Sequence, residues 1–279
     1  MLQTMRAYRG MVTAPHHLAS QAGLRVLREG GNAIEAMIAA AATITVAYPH
    51  MNGLGGDNFW LVHAPGKEVV GIDACGGVAQ KADIEFFKHQ GFDTIPSRGS
   101  MAALTVAGAV SGWQEALKVS AEWGGTMPLE RLLEDAVHFA DDGVAVTKTQ
   151  AENTRQKFDE LEGSYGFKDN FLIDGALPRE GMRFKQPRIA RTLKHLTRAG
   201  LDDFYRGELA RTIAADLTHA GTALQLADLE RHHALRLKPP GTKFLICRRQ
   251  LKVWHRSFCS VSMIVSGIQM LKLSTMCMA

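Results

Sequence analysis

The spacing of apolar positions near the start of the chain predicts two consecutive helices. Leu18, Ala22 and Val26 recur every fourth residue within an otherwise polar segment, which predicts an amphipathic helix over residues 17–28. Residues 33–46 are apolar almost all round. Because a helix without a polar face is normally buried, we expect the second helix to lie in the core.

Capping signals mark the boundaries of these two helices. Gly30 and Gly31 end the first helix, and Pro49 ends the second. Asn32 is a favourable N-cap, and Glu35, three residues later, is placed to bond back to the Asn32 backbone. The sequence therefore predicts a capping box at the start of the buried helix.

A glycine-rich turn and a predicted hairpin follow the second helix. Gly53, Gly55 and Gly56 form the turn. Residues 59–63 and 68–73 are predicted strands, and the Pro-Gly turn between them makes them a hairpin. Helices and strands together place the chain in the α/β (α+β) class.

Further helices are predicted after the hairpin, separated by one long loop region. They cover residues 108–122, 128–141, 149–161, 187–199 and 203–219. Residues 162–186 are rich in turn-forming residues and are predicted as a surface loop. Asp202 and Asp203 are expected to open the last helix, because negative charge is favoured at a helix N-terminus.

Composition divides the chain near residue 240. Residues 1–240 carry 26 Lys and Arg and all 28 Asp and Glu, whereas residues 241–279 carry six Lys and Arg and no acid. In this tail the basic residues alternate with large apolar ones, which argues against nucleic-acid binding. The longest nearly apolar run, residues 36–47, is shorter than the roughly 20 residues that span a bilayer. No secretory signal is visible, so we expect a cytoplasmic protein without nucleic-acid or membrane partners.

The residues alone leave several candidate sites open. The turn Gly53–Gly56 is either a tight structural turn or a cradle of N–H groups for an anion. The histidine pairs at 16–17 and 232–233 lack further ligands at metal spacing, so no metal and no other cofactor is expected. Cys75 is either a small buried apolar residue or a nucleophile, for which His50 and His63 are the nearest bases in sequence.

Several stretches together resemble the γ-glutamyltransferase family of N-terminal nucleophile hydrolases. The most specific combination is Gly-Gly-Asn-Ala at 30–33 with Gly-Leu-Gly-Gly at 53–56. The remaining stretches are residues 10–19, 23–29, 49–52, 106–113, 205–207 and 226–229. The resemblance implies that residues 1–240 are the large-subunit region of an αββα sandwich, which is incomplete in this chain.

The resemblance also implies a mechanism. A precursor cleaves itself, and the new N-terminal Thr attacks an amide and forms an acyl-enzyme, with its own α-amine as the base. The implied substrate is a small amide or a γ-glutamyl compound, and the implied partner is the small subunit from the same precursor.

One departure from the family pattern concerns substrate recognition. γ-Glutamyl enzymes of this family carry an Arg shortly after the second strand, where its guanidinium binds the substrate α-carboxylate. Here Cys75 stands at that position and Gly76 follows it, so these two are the predicted substrate-binding residues. We favour an enzyme that resembles the oxamate amidohydrolase branch, which acts on small amides. The alternative is a γ-glutamyl enzyme that anchors the carboxylate elsewhere.

A second departure concerns the nucleophile. Neither the family's proline-rich segment nor a Thr-Thr or Thr-Ser start follows Pro240. Read from the third base of each codon, residues 246–252 permit Leu-Pro-Pro-Pro-Ala-Gln-Gly, which is the missing segment. We therefore predict that residues 241–279 are out-of-frame translation, with a genuinely divergent tail as the alternative.

The function predicted for the chain follows from these departures. The intact parent is expected to transfer an acyl group or hydrolyse an amide. The chain as written is expected to hold no catalytic residue and to be inactive. The alternative from another class is a non-catalytic fragment that binds a small anion at Gly53–Gly56.

Overall fold

A computed structural model describes residues 5–237 and the backbone of residues 260–265. The strands are β1 (Asn58–His63), β2 (Val70–Ala74), β3 (Val144–Ala145), β4 (Arg183–Phe184), β5 (Leu235–Leu237) and β6 (Ser260–Val265). The helices are α1 (His17–Arg28), α2 (Ala33–Ala47), α3 (Ile84–His89), α4 (Ala109–Glu122), α5 (Leu129–Asp142), α6 (Lys148–Gln156), α7 (Phe158–Leu161), α8 (Phe167–Phe171), α9 (Pro187–Ala199), α10 (Asp203–Arg206), α11 (Glu208–His219) and α12 (Leu226–Arg231). The mixed class predicted from the sequence is confirmed.

The first two helices have the predicted bounds to within one residue, and the second has the predicted cap. The Asn32 side chain accepts from the backbone N–H groups of Ile34 and Glu35, and the Glu35 carboxylate accepts from the Asn32 N–H at 2.7 Å. Nearly every side chain of α2 is buried. Because both ends of the cap lie within four residues, the sequence alone specified this helix start.

The main sheet has the order β5-β2-β1-β6. β1 and β2 form the predicted antiparallel hairpin, β5 lies antiparallel to β2, and β6 runs parallel to β1. Val144–Ala145 and Arg183–Phe184 form a separate two-stranded ladder.

One face of the sheet is covered by helices. Trp60, Val62 and Ile72 are buried and belong to the same apolar cluster as residues of α2 and α4. Phe59 and Leu61, which alternate with them along β1, are only half-buried. Because strand neighbours point to opposite faces, the described helices form a layer on one side of the sheet, as in one half of an αββα sandwich.

Two helices predicted as continuous are broken, which corrects the sequence analysis. Residues 149–161 form α6 and α7, separated at Lys157 with ψ near 4°. Residues 203–219 form α10 and α11, separated by Gly207 in an extended conformation. The Asp203 carboxylate accepts from the Glu208 and Leu209 N–H groups, so it caps the second of these helices.

Other differences are short elements without a strong periodic signal. The segment predicted as a loop contains Phe167–Phe171 and Arg183–Phe184 as regular structure. Helices α3 and α12 were not predicted, because six residues are too few to show a helical repeat. None of the helices in the described part of the chain combines the length and apolar content needed to cross a bilayer.

The boundary at residue 240 and the reading frame of the tail remain predictions. Residues 238–259 and 266–279, which make up most of that tail, lie outside the described residues. Within it, the structure describes the backbone pairing of Ser260–Val265 with β1.

Candidate functional site

A cavity of about 400 Å³ lies where β2 ends, opposite the C-terminal end of α12. One wall comes from the end of β2 and the segment after it, with Asp73, Cys75, Gly76 and Gly77, and from Val106 beside them. The other wall comes from α12, the segment after it and the first residue of β5, with Asp228, Arg231, His232, His233 and Leu235. Leu235 pairs with Asp73 in the sheet, so the two walls join there. We call them the β2 wall and the α12 wall.

The β2 wall surrounds Cys75 with carboxylates. The Cys75 thiol donates to Asp57 Oδ2 at 3.5 Å, and its backbone N–H donates to Asp73 Oδ1 at 2.9 Å. The other Asp57 oxygen accepts from the Gly76 N–H at 2.9 Å. Asp57 directly follows the glycine-rich turn, so that turn and the end of β2 meet at this point.

These surroundings keep the Cys75 side chain neutral. Burial, followed by the charge of Asp57 and its hydrogen bond, raises the pKa of the Cys75 thiol to about 12. Burial likewise raises the pKa of Asp57 above its ordinary value. A nucleophilic cysteine needs a lowered pKa, so the arrangement disfavours the cysteine-enzyme hypothesis. Among the described residues, Asp57 is the hydrogen-bond partner of the thiol; that an Arg belongs at this position stays a prediction from the resemblance.

Gly76 lies where two backbone segments cross. A Cβ built on Gly76 would fall 1.7 Å from the Val106 carbonyl oxygen, and one on Gly108 would fall 1.8 Å from the Ala74 oxygen. The packing therefore requires both positions to lack a side chain. The predicted substrate contact of Gly76 stays a prediction beside this structural role.

The glycine-rich turn has a different relation to the fold. Gly53, Gly55 and Gly56 avoid positive φ values, and a Cβ on any of them would meet no atom closer than 3.7 Å. The Gly56 carbonyl accepts from the N–H groups of Gly108 (2.9 Å) and Ala109 (2.8 Å) at the start of α4. This role in capping α4 favours a structural turn over an anion cradle.

The α12 wall is built around a buried carboxylate. The Asp228 side chain is 1% exposed. Its Oδ1 accepts from the Gln80 N–H at 3.0 Å and from Arg231 Nη2 at 2.9 Å, and its Oδ2 accepts from the Gln225 N–H at 3.0 Å. The Arg231 side chain is 49% exposed and lines the cavity. Asp228 therefore ties α12 to the segment after β2 and holds Arg231.

His232 is buried behind Arg231. Its Nε2 lies 2.9 Å from Ser111 Oγ, and the Ser111 hydroxyl donates to the Gly108 carbonyl. The His232 Nε2 therefore carries the proton and donates to the serine. Burial, followed by the charges of His233 and Arg206, lowers the pKa of His232.

Arg206 and Tyr205 fix the backbone around this wall. Arg206 Nη1 donates to the Glu230 carbonyl at 2.9 Å and to the His232 carbonyl at 3.0 Å. The Tyr205 hydroxyl accepts from the Ser111 N–H and donates to the Ala107 carbonyl. Arg231 thus lies between two backbone groups that Arg206 holds.

The histidine pairs gain no further metal ligands from the tertiary structure. His16 and His17 stack with ring centroids 4.5 Å apart, and His16 caps α1. Across residues 5–237 and 260–265, no group of three or more His, Cys, Asp or Glu is placed to hold a metal ion.

Comparison with known proteins decides the family. The family model described as gamma-glutamyltranspeptidase matches residues 19–276. The chain belongs to the γ-glutamyltranspeptidase family. The resemblance stated from the glycine motifs is therefore confirmed. Two of the stretches that carry it, residues 106–113 and 226–229, contribute Val106 and Asp228 to the cavity lining.

Curated relatives of this γ-glutamyltranspeptidase-family chain include two bacterial proenzymes. The oxamate amidohydrolase proenzyme of Klebsiella pneumoniae is 51% identical over 231 residues, which are 82% of this chain and 43% of the relative. The glutathione hydrolase-like YwrD proenzyme of Bacillus subtilis is 37% identical over 223 residues, 80% of this chain and 41% of the relative. The chain thus spans about two fifths of the length of these relatives.

Solved structures of the family share the fold. The γ-glutamyltranspeptidase of Helicobacter pylori matches with a TM-score of 0.77 at 29% identity, over 85% of this chain and 68% of that one. The cephalosporin acylase of Bacillus halodurans matches with a TM-score of 0.72 at 33% identity, over 80% of this chain and 42% of that one.

The two residues predicted from the sequence as substrate-binding, Cys75 and Gly76, lie on the β2 wall. No role was predicted for Arg206, Asp228 or Arg231. The family resemblance at residues 205–207 and 226–229 covers Arg206 and Asp228, whereas Arg231 lies outside both stretches and only the structure places it in the cavity lining.

Proposed function

We propose that this chain supplies the substrate-binding cavity of a γ-glutamyltranspeptidase-family enzyme that hydrolyses a small amide such as oxamate. The observation that carries the proposal is the neutral Cys75 thiol, which donates a hydrogen bond to Asp57. The resemblance predicts an Arg at the position of Cys75 in a γ-glutamyl enzyme. A carboxylate next to Asp57 and Asp73 would be repelled, so the glutathione-type binding mode is disfavoured. The 51% identity to a protein named oxamate amidohydrolase supports the same substrate class.

The chemistry belongs to a nucleophile outside the described cavity. In the proposed reaction, an N-terminal Thr on the self-cleaved small-subunit segment attacks the amide carbonyl. Ammonia leaves, and water then hydrolyses the acyl-enzyme ester. The 279 residues by themselves are proposed to be inactive for want of the Thr nucleophile. In support, no Ser or Thr is among the described residues that line the cavity, and the Cys75 thiol there is protonated at neutral pH. We also propose that the protein is located in the cytoplasm, and cell fractionation tests this.

A hybrid precursor tests the substrate class. Residues 1–240 are fused to the part of the Klebsiella relative that follows its matched region, and ammonia release from oxamate is compared with cleavage of a γ-glutamyl anilide. We expect self-cleavage and turnover of oxamate only. Turnover of the anilide without oxamate, by a hybrid that has cleaved itself, contradicts the proposal.

Substitution of the unusual residue sharpens the same test. Cys75→Arg in the hybrid should lower kcat/KM for oxamate by about tenfold or more, because the new guanidinium pairs with Asp57 and fills the cavity. Cys75→Ser keeps a small neutral donor and serves as the matched control, for which we expect less than about a threefold change.

A further inference from the structure

Of the described lining residues, those of the β2 wall include a carboxylate and no cation, whereas those of the α12 wall include the Asp228–Arg231 ion pair. The β2 wall presents Asp73 and a thiol bonded to Asp57. Of the described residues that line the cavity, Arg231 is the one Arg or Lys. A carboxylate entering this cavity therefore finds its favourable partner on the α12 wall.

We infer that Arg231 binds the carboxylate of the substrate, in place of the cation that is missing at Cys75. The inference rests on the proposed function, because it names the group that recognises the proposed substrate. Arg231 is far from Cys75 in sequence but lines the same cavity. A guanidinium offers two parallel N–H donors to a carboxylate, which a thiol or an imidazole does not.

Arg231 is held in place yet retains unused donors. Asp228 is its one hydrogen-bond partner among the described residues, through Nη2. A guanidinium has five N–H groups, so most of its donors remain for a ligand. The half-exposed side chain faces the cavity, while Arg206 fixes the carbonyls of Glu230 and His232 on either side of it. This restraint lowers the entropy lost when a ligand binds.

The charge of Arg231 is only partly neutralised by Asp228. The Asp228 carboxylate also accepts two backbone N–H groups, from Gln80 and Gln225. Those dipoles share its negative charge, so the guanidinium still attracts a second anion. The ion pair therefore orients the Arg231 guanidinium and leaves its other N–H donors available to a ligand.

The β2 wall determines which group the ligand carries beside its carboxylate. The carboxylate oxygens of this wall accept hydrogen bonds, which suits the N–H groups of an amide and repels a second carboxylate. The ligand class is thus a small molecule with one carboxylate and one amide close together, as in oxamate. Glutamine also combines these groups, at a greater separation, and is the competing ligand in the test.

Binding to the full 279-residue chain tests the inference. Sodium oxamate and its neutral analogue oxamide are titrated by calorimetry into the wild type and into Arg231→Ala, Arg231→Lys and Arg236→Ala. Arg236 is the matched control, because it lies on β5 and pairs with Glu122 outside the cavity lining. Thermal melts of each variant confirm folding.

We expect a selective loss of affinity for the anionic ligand. Arg231→Ala should weaken oxamate binding at least tenfold, Arg231→Lys should weaken it less, and Arg236→Ala should leave it unchanged. Oxamide binding should be the same in all four proteins. Unchanged oxamate affinity in Arg231→Ala, equal loss of oxamate and oxamide, or no oxamate binding by the wild type overturns the inference. Tighter Arg231-dependent binding of glutamine than of oxamate supports the residue's role and overturns the ligand class.

The hybrid precursor separates this inference from the proposed function. If Arg231→Ala raises the KM for oxamate at least tenfold with little change in kcat, both stand. If the hybrid turns over oxamate with a KM that Arg231→Ala does not change, only the inference fails. If the hybrid cleaves itself but does not hydrolyse oxamate, while the chain binds it through Arg231, only the proposed function fails.

Discussion

The two walls of the cavity are held together in different ways. The β2 wall depends on backbone crossing, because Gly76 and Gly108 touch carbonyl oxygens that leave no room for a Cβ. The α12 wall depends on side-chain hydrogen bonds that converge on the buried Asp228. Steric exclusion therefore shapes the β2 wall, whereas polar pairing holds the α12 wall in place.

The largest expected effect comes from filling the crossing on the β2 wall. Gly76→Ala places a Cβ against the Val106 carbonyl, and because backbone must move, we expect a loss of about 3 kcal/mol or more in the free energy of unfolding. Urea denaturation measures it. Gly77→Ala is the control, since a Cβ there has no atom within 4 Å, and it should change stability by less than about 1 kcal/mol. Equal effects of the two substitutions would contradict steric fixation.

The next effect comes from removing the buried carboxylate on the α12 wall. Asp228→Ala leaves the N–H groups of Gln80 and Gln225 without an acceptor, so we expect a loss of about 2–3 kcal/mol in the same measurement. Asp216→Ala, at an exposed position of α11, should stay within about 0.5 kcal/mol. A loss at Asp228 no larger than that at Asp216 would show that the wall is held by other contacts.

Chemical reactivity tests the charge of the β2 wall. Asp57→Asn removes the largest electrostatic contribution to the raised pKa of Cys75 while keeping an acceptor for the Gly76 N–H. The thiolate fraction then rises, and alkylation by iodoacetamide at alkaline pH should accelerate about tenfold for each unit by which the pKa falls. Mass spectrometry of the peptide containing Cys75 follows the rate. Asp73→Asn should accelerate it less, because the Asp73 charge contributes least to the shift.

The smallest effect concerns the pH dependence of the α12 wall. Burial holds the pKa of His232 below 6.5, so the unfolded chain binds more protons at mildly acidic pH. The stabilising contribution of neutral His232 is therefore complete above pH 6.5 and is lost as the pH falls below it. His232→Gln, which keeps a donor for Ser111, should reduce the drop in melting temperature between pH 7.5 and 5.5.

A neighbouring histidine provides the control for this pH effect. His233 is exposed and its charge is a smaller cause of the lowered pKa of His232 than burial is, so His233→Gln should change the pH profile less than His232→Gln does. Part of the wild-type drop persists in His232→Gln, because burial also lowers the pKa of His16 and lowers that of His50 to about 4. An identical profile in both variants would show that His232 does not couple to folding.

Some of the site could be predicted from the sequence, because a family motif marks its position. Cys75 was selected because the resemblance predicts an Arg at its position, and the structure places Cys75 in the cavity lining. The partner of its thiol, Asp57, belongs to the glycine motif, but nothing in the spacing of the two residues shows that they meet. The role of Arg231 was not predicted, because the cavity joins residues from distant parts of the chain.

What the sequence determined by itself is the local structure. The capping box at Asn32 and the helices it separates involve partners within a few residues, so residue identity and spacing suffice to specify them. The breaks at Lys157 and Gly207 escaped prediction, because the apolar repeat continues across them. At Gly207 the backbone packs on the carboxylate of Asp203, four residues earlier, which leaves no room for a side chain. This contact is local, but no apolar repeat signals it.

The tertiary structure alone decided which charges face one another. Asp73 and Cys75 line the same cavity as Arg231 and His232, because Asp228 ties α12 to the segment after β2 through the Gln80 N–H. Electrostatic interactions depend on distance and burial rather than on order along the chain. The sequence therefore drew attention to Cys75, and the fold showed which Arg lines the same cavity.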